Sequence, residues 1–214
     1  MKGGPVNQAV LNFFKQNYAP GRICIIGSST PIYKLIRDGQ GGLTKDGKPS
    51  RYNHTFLMSS IRDDGRDDGS IYIYESDLHV SVPDWEVKNG VMESRITKWC
   101  LDDLEYAAVL GIDLSQQETE SLLRKALWYS YDEHHLLYPV GSLFGTLWAI
   151  LTRQLSRKNI FNSAQAVQCA TFVRLCYQSI NRDIMAAGTD LSNTSPEGIS
   201  QSQVFTFRKE WKKV

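Results

Sequence analysis

The sequence predicts an α+β fold, with a central antiparallel sheet flanked by helices. Two observations carry this. Short apolar, β-branched runs crowd the stretch from Arg22 to Ile112, and helical spacing dominates before and after it. At 214 residues the chain fits one domain, read as 1–214 with 1–19 as an N-terminal helical extension. A chain of this size buries roughly 70% of its unfolded surface and needs no metal or disulfide to fold.

Each element follows from local pattern. Val6, Val10, Leu11 and Phe14 recur at helical intervals, and Ala19-Pro20-Gly21 ends that helix. Arg22–Gly27 (RICIIG) reads as a buried strand, and Pro31–Arg37 as one or two helical turns. Asp38–Ser50, rich in glycine, predicts a mobile loop. Three strand-like runs follow: His54–Met58, Ser70–Glu75 after the charged turn RDDGRDDG, and Leu78–Val82, stopped by Pro83. Arg95–Trp99 and Tyr106–Ile112 complete the expected sheet. Ser115 and Glu118 fit a capping box opening a helix to about Tyr131. A further helix is expected between Ser163 and Ile180, striped by Val167, Ala170, Val173 and Tyr177. Thr189–Ser202 reads as an irregular tail, and Val204–Phe207 as an edge strand.

Charge and composition exclude several functions. Lysine and arginine total 24 against 23 acidic residues, a net charge of +1, so no nucleic-acid footprint is present. Tyrosines and tryptophans are scattered, with no basic stretch between them. No apolar run reaches the ~18 residues of a membrane span, so stable membrane insertion is not expected. The N-terminus lacks the apolar stretch of a secretory signal, which predicts a cytoplasmic protein, a trimmed exported form being the alternative. The four cysteines form no C-x-x-C pair and are expected as free thiols.

Most chemically suggestive clusters have plain explanations. The aspartates Asp63, Asp64, Asp67 and Asp68 lack the EF-hand ligand order and read as a solvated hairpin tip. His134 and His135 are adjacent, so on a helix they point about 100° apart and do not share one ion. No metal or other cofactor is expected.

A cysteine nucleophile needs a favoured thiolate, a nearby base and a group orienting that base. Cys169 is the cysteine nearest a predicted helix start, where partial positive charge favours thiolate. Cys176, two turns further on, reads as a small core residue, and Cys24 and Cys100 sit on strands. His54, opening its strand, is the candidate base. Glu75 shares a strand face with Ile71 and Ile73, where an unpaired carboxylate is costly, so an imidazole on the next strand would satisfy it.

These residues, in this order, resemble the circularly permuted NlpC-type papain-like cysteine hydrolases, the YiiX/YebB-like group. The resemblance rests on Pro20–Gly27 as opening strand, Tyr52–Leu57 as histidine strand and Ile71–Ser76 as glutamate strand. Gln168–Val173 matches the cysteine helix, and Ser195–Ser200 the terminal Ser/Thr-Pro segment. It implies a papain-like fold with Cys169 as nucleophile, His54 as general base and Glu75 fixing the imidazole, with Tyr138 lining the substrate site. The group's usual Cys-Ser-Glu is Cys169-Ala170-Thr171 here, and its Gly-Asp is Gly21-Arg22. The implied activity is a thiol-dependent hydrolase, peptidase- or amidase-like, cleaving an amide bond in a peptide or cell-wall-type peptide. A lipid acyl hydrolase, thioesterase or acyltransferase is the alternative, with Val140–Leu151 as acyl pocket. A non-catalytic binding module is the third. The implied partner is a small peptide or acylated substrate, and Asp38–Ser50, just before His54, is a candidate lid.

Overall fold

A computed structural model describes residues 5–44, 46–65, 70–81, 86–131, 169–185, 187–189, 191 and 194–214. In chain order the elements are α1 (Gln8–Gln16), β1 (Ile23–Ser28), α2 (Pro31–Gly39) and β2 (His54–Ile61). They continue with β3 (Ile71–Ser81), β4 (Glu86–Arg95), β5 (Leu104–Gly111) and α3 (Gln116–Tyr131), then α4 (Cys169–Gln178), α5 (Pro196–Gln201) and β6 (Phe207–Lys212). Short 3-10 turns occupy Gln40–Leu43 and Ile96–Trp99. The strands form one mixed-order sheet, β4-β3-β2-β1-β5-β6, antiparallel at every pairing.

Strand alternation sorts the core into two layers. Ile23 and Ile25 of β1 face one side with Leu57, Tyr74, Ala108 and Leu110, covered by Leu122 and Ala126 of α3 and by Phe172, Val173, Cys176 and Tyr177 of α4. Cys24 and Ile26 face the other with Phe56, Met58, Ile71 and Ile73, covered by Val10, Leu11 and Phe14 of α1 and by Ile96 and Trp99. Every residue of β1 is buried, as a strand covered on both faces must be. The Asn7 side chain caps α1 by accepting from the amides of Ala9 and Val10. Tyr177 ties α4 to the sheet by donating its hydroxyl to the Gly21 carbonyl at 2.6 Å.

The helix from Ser115 forms as its capping box requires. The Glu118 amide donates to Ser115 Oγ at 3.2 Å, and the Ser115 amide donates back to the Glu118 carboxylate at 2.9 Å. Elsewhere the structure differs from expectation. Leu78–Val82 is not a separate strand, because β3 runs unbroken to Ser81, its pairing with β4 continuing through Ser76–Val91 and Asp77–Gly90. Arg95–Trp99 is not a strand. β4 ends at Arg95, and the chain turns through a 3-10 coil that drives Ile96 and Trp99 into the core. The tail is not irregular throughout: Ser195, accepting from the Gly198 amide, and Pro196 at the first helical position open α5. The edge strand comes later than Val204–Phe207 because β6 pairs β5 from Phe207 onward.

The loop before His54 is pinned rather than free. Gln40 donates to the Tyr52 carbonyl at 2.9 Å and accepts from the Glu197 amide at 3.1 Å. The Ser50 hydroxyl reaches the Glu197 carboxylate at 2.6 Å. These bonds fasten the loop to α5.

Candidate active site

Strand alternation places His54, Phe56 and Met58 of β2 on the same sheet face as Ile71, Ile73, Glu75 and Asp77 of β3. Phe56 pairs with Glu75 across the strands, so His54, two residues before Phe56, lies diagonally from the carboxylate. The histidine Nε2 and Glu75 Oε2 are 2.9 Å apart. Both residues are buried, Glu75 completely. Cys169, the first residue of α4, lies close enough for its sulfur to act electrostatically on the His54 ring. With Nε2 taken by the carboxylate, Nδ1 is the ring nitrogen left for the thiol. Cys169 opens α4, the helix on the opposite face of the sheet, and His54 opens β2.

Glu75 is surrounded by donors. Trp99 Nε1 donates to Oε2 at 2.8 Å and Lys98 Nζ to Oε1 at 2.8 Å. Lys98 also binds Asp77 Oδ2 at 2.6 Å. The Trp99 ring lies against the imidazole, their centroids 4.6 Å apart. Burial favours the neutral acid, but the hydrogen bond from His54 and the Lys98 charge outweigh it and hold the Glu75 carboxyl well below the usual carboxylate range. Burial likewise disfavours a charged ring. The facing Cys169 sulfur, the Glu75 carboxylate and Asp77 nevertheless raise His54 to about 10.

The four cysteines separate by environment, and all are free. Cys24, Cys100 and Cys176 are 0% exposed, whereas Cys169 is 7% exposed. Burial pushes the Cys24 and Cys176 thiols up, which makes them poor nucleophiles.

Of the residues singled out in the sequence, the structure brings together Cys169, His54 and Glu75. Tyr138, His134, His135 and the stretch Val140–Leu151 lie outside the described residues, as do Asp67 and Asp68. Asp64, exposed at its hairpin, accepts from the Tyr72 hydroxyl at 2.9 Å and pairs with Arg95 at 3.3 Å. That is a structural role. Lys98, Trp99 and Asp77 escaped the sequence reading. Asp77 follows Glu75 on the same strand face, so two carboxylates there already called for a cation. What concealed its source was reading Arg95–Trp99 as a strand.

No family model and no curated protein matches this chain. The chain does resemble a solved structure, that of the metalloprotein YiiX from Escherichia coli O157:H7. Identity is 15%, the TM-score is 0.54, and the match covers 92% of this chain and 98% of that one. The fold is YiiX-like. At that identity the likeness concerns architecture alone. Among the described residues, no three histidine, cysteine or carboxylate side chains form a group that could hold a metal ion. Among them, too, no helix is long and apolar enough to cross a membrane.

Proposed function

We propose that the protein is a thiol-dependent hydrolase of papain-like, permuted NlpC type, cleaving an amide bond in a peptide or cell-wall-type peptide. The observation that carries this is the position of His54, bonded to a buried carboxylate and within electrostatic reach of the most accessible cysteine.

In this reading Cys169 and His54 rest as a thiolate–imidazolium pair. The sulfur attacks the carbonyl carbon, and the backbone amide of Cys169 at the head of α4 donates to the developing oxyanion. His54 gives its proton to the leaving amine as the C–N bond breaks, leaving a thioester on Cys169. Water, losing a proton to His54, then attacks the thioester and releases the acid and the thiol. Glu75 keeps the imidazole facing the sulfur throughout and touches no substrate. A metal ion at Glu75 and Asp77 fits the described residues poorly. Both Glu75 oxygens already accept from His54, Trp99 and Lys98, and the Lys98 ammonium occupies the space between the two carboxylates.

The test is selective alkylation. Iodoacetamide at neutral pH should label Cys169 first, as identified by peptide mass, and His54→Ala should slow that labelling at least tenfold. Equal, slow labelling of all four thiols in both proteins would sink the proposal.

A further inference from the structure

Glu75 stands where two hydrogen-bonded arms meet. One oxygen serves the imidazole and the Trp99 indole, and the other serves Lys98, which continues to Asp77. The two carboxylates lie on one face of β3, and both are buried. Neighbouring carboxylates in so dry a place do not both stay ionised unless a cation stands with them.

We infer that Lys98 is a positioning residue for the proposed reaction: its ammonium neutralises Asp77 and so keeps Glu75 an ionised acceptor for His54. This deepens the Cys169–His54 reading and rests on it. Among the described residues, the groups facing Glu75 are few. His54 comes from β2 with Cys169 of α4 beyond it, Lys98 and Trp99 come from the turn after β4, and Asp77 lies on the same strand. The residues paired with Glu75 across the sheet, Phe56 on β2 and Met92 on β4, carry no charge. Among the described residues Lys98 is the cation that bonds both carboxylates, since the imidazolium of the proposed pair reaches only Glu75. Burial opposes the charged ammonium, but the Glu75 and Asp77 carboxylates outweigh it and hold Lys98 above the usual lysine range.

Without Lys98 the two carboxylates repel, and Glu75, the more deeply buried, takes up a proton. His54 then loses its ionised partner at a pH where the wild type keeps it. The experiment is the pH profile of iodoacetamide labelling at Cys169, with circular dichroism confirming the fold of each variant. In Lys98→Met the acid limb should move up by about 1–3 pH units. Lys98→Arg, which keeps the charge, should hold the wild-type limb. Asp77→Asn combined with Lys98→Met should restore it, because removing the second carboxylate removes the need for the cation. A lysine that merely packs would not be rescued by changing its partner.

An unshifted Lys98→Met profile, or a shift that Asp77→Asn leaves in place, overturns the inference. If Lys98→Met does not fold, the double variant and Lys98→Arg carry the test alone, and a displaced limb in either overturns it. The two proposals fail differently. Wild-type labelling that ignores His54 removes the thiol reading and this inference together. Wild-type labelling that depends on His54, with a Lys98→Met profile superimposable on it, removes only the role of Lys98.

Discussion

Glu75 has two oxygens and neither is idle: Oε2 accepts from His54 and Trp99, and Oε1 accepts from Lys98. A carboxylate with no solvent exposure survives only with such company. Because its folded carboxyl is held below the ordinary value of 4.5, the stability it contributes is complete above that pH and is lost as acid protonates it. Glu75→Gln should therefore cost about 3–5 kcal/mol at neutral pH, because it breaks a buried ionic network. It should also flatten the acid side of the stability profile, read by urea unfolding at a series of pH values. A variant whose profile runs parallel to the wild type would show that Glu75 stays protonated in the fold. At this scale much of the site was legible. A lone carboxylate continuing the Ile71–Ile73 face demanded a partner, and His54 supplied one. Lys98 was not legible, because its contact depends on a 3-10 turn that no local pattern announced.

Among the elements, the entry into β2 decides where His54 stands. Gly27 of β1 runs so close to the incoming chain that a Cβ there would lie 1.8 Å from the Arg51 carbonyl oxygen. Beside it, the Asn53 amide donates to the Ile26 carbonyl at 2.8 Å, and Asn53 Oδ1 accepts from the Ser28 amide at 2.7 Å. Gly27→Ala must therefore push the Arg51–Asn53 segment away and displace His54 with it. We expect a loss of about 1–3 kcal/mol, typical of overpacking, together with weakened His54-dependent labelling of Cys169. Thermal unfolding and the alkylation rate check both, and an unchanged alkylation rate would mean that β2 tolerates the shift. The helix at Ser115 was readable because its cap is written in four consecutive residues. The structured loop before His54 was not, since Gln40 and Ser50 are held by Glu197 from the far end of the chain.

For the whole molecule, the unbroken apolar run RICIIG was enough to foretell a buried strand, and β1 is buried along its whole length. The order of its strands was not legible. β1 lies between β2 and β5, and the last strand of the chain closes the edge beside β5. Those neighbours follow from pairings between distant segments, which local periodicity does not encode. The same topology brings α4 over one face and the β2–β3 pair round to meet it, and the proposed chemistry depends on that meeting. The most direct test of the Cys169–His54 pair is the titration of the His54 ring followed by nuclear magnetic resonance in the wild type and in Cys169→Ser. The ring should keep its proton well past neutrality, toward about 10, in the wild type, and lose it at distinctly lower pH once the sulfur is gone. A ring that titrates near its ordinary 6.5 in both proteins would contradict the pair, and with it the proposed function.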